Sequence, residues 1–408
     1  MAGPLAGVKV LDFTFYLPGP FCVFILTDLG ADTIKVERAT PKETQEHPEE
    51  DESEVVKKAY DPKDRNKRSI ALDLKSKEGK EIYLKLAAKS DIVVVEGRPG
   101  MPERLGLGYE DIKKINPRII YCHISGYGYG GPMEQVPGFD PNYVALGGVQ
   151  GQIGYGTDGI HVPTTESIAI GDMCGGSLHG AVAIIAALYS RDKTGKGQFI
   201  DTACADGVAY MQGMRHAPLW YSQKKKIRRG SRLPFIFECK DGKFINFSIM
   251  GPYWEKLCRA VGLERYISDA SILQLIGLED YLPDPVAARR KEREIVGALT
   301  NIFLGKTRAE WLPILMKADT CVTPVNEIDE LFEDPQIIAR KMVVELDHPT
   351  LGKVKQVGIP FKMSETQPEV RSMSPLTGQN TEEILLELGY TKAAVKKMKD
   401  AGQIKTTD

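Results

Sequence analysis

The segment VKVLDFTFYLPGPFCVFILTDLGADTIKVE, residues 8–37, decides the reading of the fold. Val8–Phe13 is a short apolar run suited to a buried strand. Pro20–Leu29 is almost wholly apolar and stops at Gly30, and a proline start with a glycine end predicts a helix. Asp32–Glu37 reads as a second strand, which completes a βαβ unit. The pattern repeats downstream. Lys75–Lys89 reads as a helix leading into Ile92–Val95, a β-branched run typical of a strand covered on both faces, and Ile119–Ile124 repeats it. The alternation predicts an α/β fold with a parallel sheet and crossover helices.

Further along, Glu43–Glu54 carries seven acidic residues in twelve and reads as a solvated loop. Gly171–Tyr189 opens with glycines and becomes a long apolar helix that ends at Arg191-Asp-Lys-Thr-Gly195. Gln223–Arg232 holds six Lys/Arg residues without interleaved aromatics, which suits a linker better than a nucleic-acid surface. Phe235–Ile249 reads as a hairpin turning at Asp241-Gly242. Helical patterns at Tyr253–Val261, Glu292–Leu304 and Arg308–Lys317 then make residues 225–325 a small α+β domain. A final amphipathic helix is predicted near Glu382–Leu388, before Gly389.

Composition narrows the function classes. The 408 residues carry 53 Lys+Arg against 55 Asp+Glu, a net charge of -2, so no basic excess points to nucleic acid. No uninterrupted apolar stretch reaches the roughly 18 residues that span a bilayer, and no signal-peptide pattern opens the chain. The seven cysteines are scattered without a CxxC pair, as expected of reduced thiols in a cytoplasmic protein.

Familiar catalytic patterns are missing. Gly126–Gly131 is glycine-rich, but Pro132 follows where a dinucleotide fingerprint needs a helix. Six histidines show no HExxH or paired spacing, so no metal is assigned, and there is no GxSxG elbow. The unusual environment is Ile168-Ala-Ile-Gly-Asp-Met-Cys-Gly-Gly176, a lone carboxylate among small residues at the mouth of an apolar helix. Asp172 is either an N-cap, accepting orphan amides, or a functional carboxylate. In the second case Gly171, Gly175 and Gly176 would let a bulky electrophile approach, and helix amides would lower its pKa. Nucleophile and base both fit the local pattern.

Motifs in order from Leu5 to about Tyr390 carry a resemblance. They are Leu5-Ala-Gly-Val-Lys-Val-Leu-Asp12, Asp28-Leu-Gly-Ala-Asp32, Lys35-Val-Glu-Arg38 and Asn66-Lys-Arg-Ser69, then Arg98-Pro-Gly100 and Arg104-Leu-Gly-Leu-Gly108. Ile124-Ser-Gly126, Gly171-Asp172 and Lys193-Thr-Gly-Lys-Gly-Gln198 follow. The sequence resembles the class III CoA-transferases, the superfamily of formyl-CoA transferase and carnitine CoA-transferase that also holds the α-methylacyl-CoA racemases. The resemblance implies a Rossmann-like large domain built from both chain ends (1–224 and 326–408), a small domain, and two interlocked protomers. The dimer would pair identical or paralogous subunits.

It also implies roles. The aspartate matching Asp172 is the nucleophile of the transferases, passing through aspartyl anhydride and aspartyl-CoA thioester intermediates. Arg38, Lys67 and Arg104 are expected at the adenosine and phosphates of CoA. Phe139, Tyr143, Gly171 and Gly175 are expected around the acyl group. CoA enters as a thioester substrate, with a carboxylic acid as its acceptor, and no permanently bound cofactor is implied. Racemases pair the aspartate with a histidine in Gly-His-Asp-Ile-Asn-Tyr, whereas this chain reads Gly138-Phe-Asp-Pro-Asn-Tyr143. A phenyl ring transfers no proton, which favours the transferase branch over an isomerase using Asp172 as base, or a silent subunit of a hetero-oligomer. Formyl-CoA transferase has an Asn-Phe pair where Glu96-Gly97 stands here, pointing to a larger acid than oxalate. Tyr16, Phe21, Phe139, Tyr143 and Tyr155 are expected near the acyl site, with room for an aromatic or branched acid, and Arg98 or Arg215 could pair the second carboxylate of a dicarboxylic acid such as a substituted succinate.

Overall fold

The first apolar run forms strand β1, Lys9–Phe13, and helix α1, Pro18–Asp28, returns the chain to β2, Asp32–Arg38. A computed structural model describes residues 3–39, 54–152, 154–155, 162–165, 167–214, 216–224, 236–248, 252–269, 272 and 285–407. The acidic stretch up to Ser53 and residues 225–232 of the basic stretch therefore lie outside the described residues. Helix α1 starts at Pro18, two residues before the predicted Pro20, because prolines are tolerated through the first turn, where amides lack helical partners.

Four more strands follow in parallel: β3 Lys67–Leu72, β4 Ile92–Glu96, β5 Ile120–Ser125 and β6 Gln198–Ala203. A two-residue strand near the chain end, β7 Ile404–Lys405, pairs antiparallel to β3. The sheet order is β7-β3-β2-β1-β4-β5-β6. Leaving β7 aside, this is the doubly wound order in which the direction of strand addition reverses between β1 and β4, the point where such sheets bind ligands.

Strand residues alternate between two buried layers, as a sheet covered on both faces requires. Val10, Ile92, Val94, Ile120 and Cys122 pack with Val23 and Leu26 of α1 and with Ile184 and Leu188 of a second long helix. Leu11, Val36, Ile70, Val93 and Tyr121 pack on the other side with Ile82, Leu86, Ile384 and Leu385. The predicted last helix runs Thr381–Glu387 but is not the last. Lys392–Asp400 follows it, hidden from the pattern because only Val395 and Met398 of that helix are buried.

The predicted helix at Gly171 has two parts. Gly171–Leu178 winds as a π-helix of eight residues and passes into helix α3, His179–Thr194, which ends at Gly195 with φ 74°. Together they are long and apolar enough, by length and composition, to cross a membrane, yet 44% of the most apolar window is buried within the fold. Arg191 near the far end is buried and pairs with Asp91 at 3.0 Å.

The chain divides into two compact units, residues 1–214 with 339–408, and residues 215–338. The second unit holds a three-stranded antiparallel sheet of Ile236–Glu238, Phe244–Ser248 and Cys321–Val325. Gly242, φ 72°, turns its hairpin where the sequence predicts, and Trp254, Phe303 and Trp311 fill its core.

Candidate active site

The C-terminal ends of β1 and β4 build the site. Glu96 closes β4 and is buried, and its carboxylate accepts the amides of Phe15, Tyr16 and Gly19, the last at 2.9 Å. Those bonds fix the turn from β1 into α1. Burial pushes the Glu96 carboxyl above its usual range, against the pull of the three amides and of Lys35. Gly97, φ 118°, takes a backbone conformation that suits only glycine. Its carbonyl lies 3.0 Å from His123 Nε2.

Two cavities open at this edge. One, about 820 Å³, is lined by Arg38, Lys75 and Arg104 together with Phe13, Phe15 and Leu74. The other, about 240 Å³, is lined by Asp172, Phe139, Tyr143, Tyr127, Arg98 and Cys204, among others. Tyr16, Glu96 and Gly97 line both, so the two cavities meet at the sheet's reversal point. Of the expected CoA contacts, Arg38 and Arg104 share the larger cavity, and Lys75, which no sequence motif marked, joins them.

Lys67 is placed differently. Its side chain is fully buried, with Nζ 2.8 Å from Asp12 and 2.9 Å from Asp64, and it lines neither cavity. Burial would lower its pKa, but Asp12 and Asp64 together raise it. The cation that resembles a CoA contact is a core ion pair in this chain.

Asp172 is no N-cap. Ile170 at the cap position is already helical, and no amide of the turn bonds the Asp172 carboxylate among the described residues. Its own amide donates to Asp140 Oδ1 at 2.8 Å, from the first residue of helix α2, Asp140–Leu146. Nor do helix amides lower its pKa. Burial, then Asp140, then Glu96 push it up to about 7. Asp172 thus sits in the cavity wall as a carboxyl poised between its two protonation states near neutral pH.

The glycines around it serve packing. A Cβ on Gly175 would run into the Cys204 carbonyl, and one on Gly176 would come within 2.7 Å of Cys204 Sγ. One on Gly207, in helix α4, Cys204–Met211, would run into the Gly175 carbonyl. Gly175 is buried between helices and lines neither cavity, while Gly171 faces Asp140 and Tyr143. Gly126 likewise makes room for the Tyr143 ring.

Among the expected aromatics, Tyr16, Phe139 and Tyr143 share the smaller cavity with Asp172. Phe21 instead stacks on Phe24 with ring centroids 5.9 Å apart. Arg98 lines the cavity, but Arg215 and the side chain of Tyr155 lie outside the described residues. Sequence reasoning marked Glu96 only as a departure from formyl-CoA transferase, and gave neither it nor Asp140 a role in the site. Glu96 ends an apolar strand and reads as its polar terminus, and Asp140 is hidden behind the more conspicuous Phe139.

Comparison with known proteins identifies the family. The model of CoA-transferase family III matches residues 5–381. A formyl-CoA:oxalate CoA-transferase of Bradyrhizobium sp. (strain ORS 278) is 32% identical, covering 99% of this chain and 98% of that protein. The succinyl-CoA:glutarate CoA-transferase of Mus musculus is 34% identical, over 98% of this chain and 90% of that protein. A crystal structure of a CAIB/BAIF family protein from Brucella suis superposes with a TM-score of 0.77 at 27% identity, covering 95% of this chain and all of that one. With a motif series, a fold and a full-length match in agreement, the chain belongs to CoA-transferase family III.

Proposed function

We propose that the protein transfers CoA from an acyl-CoA to a dicarboxylic acid, with Asp172 as the nucleophile. The observation that carries this is the pair of joined cavities: a large one edged by Arg38, Lys75 and Arg104, opening into a small one walled by Asp172. A CoA thioester has that shape and charge, an anionic nucleotide at one end and a reacting carbonyl at the other.

The steps balance without an outside reagent. The Asp172 carboxylate attacks the thioester carbonyl, forming a mixed anhydride and releasing CoA thiolate. The thiolate attacks the aspartyl carbonyl, giving the aspartyl-CoA thioester and freeing the donor's acid. The acceptor carboxylate then forms a second anhydride and releases the thiolate, which takes the acceptor's acyl carbon and restores Asp172. Each intermediate retains the thioester's energy as long as water stays out. Acyl-CoA without acceptor should therefore load Asp172, and hydroxylamine should trap it as the hydroxamate, read by peptide mass. Absence of any adduct on Asp172 would end this reading.

The acids in the names of the relatives above, oxalate and glutarate, both carry two carboxylates. Arg98 supplies the cation for the second one in a cavity of about 240 Å³ that Tyr16, Tyr127, Phe139 and Tyr143 also line, with Glu96 and Glu134 as further carboxylates in its wall. Its guanidinium is exposed and donates at 3.2 Å to the Gln135 carbonyl, leaving further donors for a ligand. Arg98→Met should raise KM for the acid about 10- to 100-fold, the worth of a charged hydrogen bond, and leave donor KM alone. Equal KM values for the acid in the two proteins would remove Arg98 from the site. Phe139, 71% exposed on this cavity, offers no proton, so nothing here favours an isomerase.

The acting unit is an interlocked dimer. Leu178 at the end of the π-helix and Val182, Ile185 and Tyr189 of α3 form one exposed apolar stripe, with Val182 67% and Tyr189 66% exposed. Interlocked chains separate only by partial unfolding, so sedimentation through serial dilution should show no folded monomer. A stable, active monomer is the opposing result.

A further inference from the structure

We propose that His179 and Ser177 are positioning residues that hold the π-helical register and thereby aim Asp172 into the cavity. The proposal rests on Asp172 as nucleophile. A π-turn carries one more residue than an α-turn, and such turns concentrate at functional sites. If Gly171–Leu178 tightened to α-helical register against a fixed α3, residues before the junction would rotate by about 100°, one residue's turn. Asp172 would swing away from the acyl cavity. Something must oppose that slip.

Two side chains do. His179 Nδ1 lies 2.7 Å from the Cys174 carbonyl and 3.1 Å from that of Gly175. Carbonyls only accept, so Nδ1 carries the proton and donates to both. The backbone amide of His179 is engaged with Gly176, so the ring acts as an added donor at the junction. Its other side meets Tyr210 edge-on, centroids 5.7 Å apart. Ser177 is fully buried, and its hydroxyl lies 2.8 Å from the Asp172 carbonyl and 2.6 Å from that of Pro18. That single proton tethers the peptide of the nucleophile to the start of α1, which also lines the cavity. The Gly175 carbonyl cannot retreat, because Gly207 closes against it.

His179→Asn puts an amide N–H where Nδ1–H was, whereas His179→Gln carries its donor one atom too far and His179→Ala has none. Single-turnover loading of Asp172 from saturating acyl-CoA, followed by intact mass, separates them. His179→Ala and His179→Gln should load at least about tenfold more slowly, His179→Asn within about threefold of the parent, and donor KM should stay within about twofold in all. Ser177→Ala should resemble His179→Ala. The Asn and Gln variants decide the matter even if the Ala variants fold poorly. Equal rates for Asn and Gln, or a parental rate for Gln, overturn the proposal. Asp172→Asn run alongside distinguishes the failures: if it still loads, the nucleophile assignment fails first, whereas a dead Asp172→Asn beside normal His179 variants sinks the positioning role alone.

Discussion

Asp172→Asn should lower CoA transfer by about 10³-fold or more, some 4 kcal/mol of barrier, while the protein melts at or above the parent temperature. Asn keeps the size and the amide bonded to Asp140 Oδ1 but has no anionic oxygen. The stability half follows from linkage. The folded-state pKa of Asp172 is raised to about 7, so between the ordinary carboxylate range and pH 7 the fold holds a proton that the unfolded chain does not. Stability from this group is present at low pH and is lost as pH rises through about 7. Asn never charges, so its melting advantage should widen from pH 5 to pH 8. Loading has the opposite slope, rising through about pH 7 as the nucleophilic anion forms. Asp140→Asn should move that midpoint down, because one of the like charges is gone while an oxygen remains to accept the Asp172 amide. Near-normal transfer by Asp172→Asn would refute the assignment.

Lys67→Met should be the most damaging single change to the fold, costing about 3–5 kcal/mol. It strips Asp12 and Asp64 of a partner where both carboxylates are buried. Lys35, 3.3 Å from Asp12, and Lys58, 3.6 Å from Asp64, compensate only in part. Burial alone would raise the Asp64 pKa, but Lys67, Lys35 and Lys58 hold it far below the ordinary range. That stabilisation is full above the ordinary carboxylate range and is lost progressively as pH falls from that range towards the much lower folded-state value. The variant should therefore unfold at lower urea and at higher pH in an acid titration followed by circular dichroism. Donor KM of the fraction that folds should not change. A stable variant with weakened donor binding would return Lys67 to the CoA contacts.

These two residues show how far a sequence can be read. Asp172 stands out through its flanking glycines, although the glycines answer to helix packing and not to substrate clearance. Lys67, in the charged run Asn66-Lys-Arg-Ser69, looks like a surface cation. Its burial is decided by Asp12 and Asp64, and Asp12 is 55 residues away in sequence. Strands β1, β4 and β5 are legible as continuous apolar runs, whereas β3, KRSIAL, and β6, QFIDTA, are not, because polar residues interrupt them. Strand β7 is not, since two residues make no pattern. The π-turn is equally silent: its hydrogen-bond register depends on side-chain donors and on a helix that packs from elsewhere in the chain.

Strand β7 also bears on how the protein is made. During translation all six parallel strands leave the ribosome long before Ile404 does. The outer edge of β3 stays unpaired over that interval, an open template for another nascent chain. The same edge waits for Thr381, whose hydroxyl accepts the Ala71 amide, and for Asn380, whose side-chain oxygen accepts that of Ser69. Thr381 and β7 thus close a sheet edge whose Ala71 lies 310 residues earlier in the chain than Thr381. That edge therefore stays open until Ile404 and Lys405 have been made and paired with it.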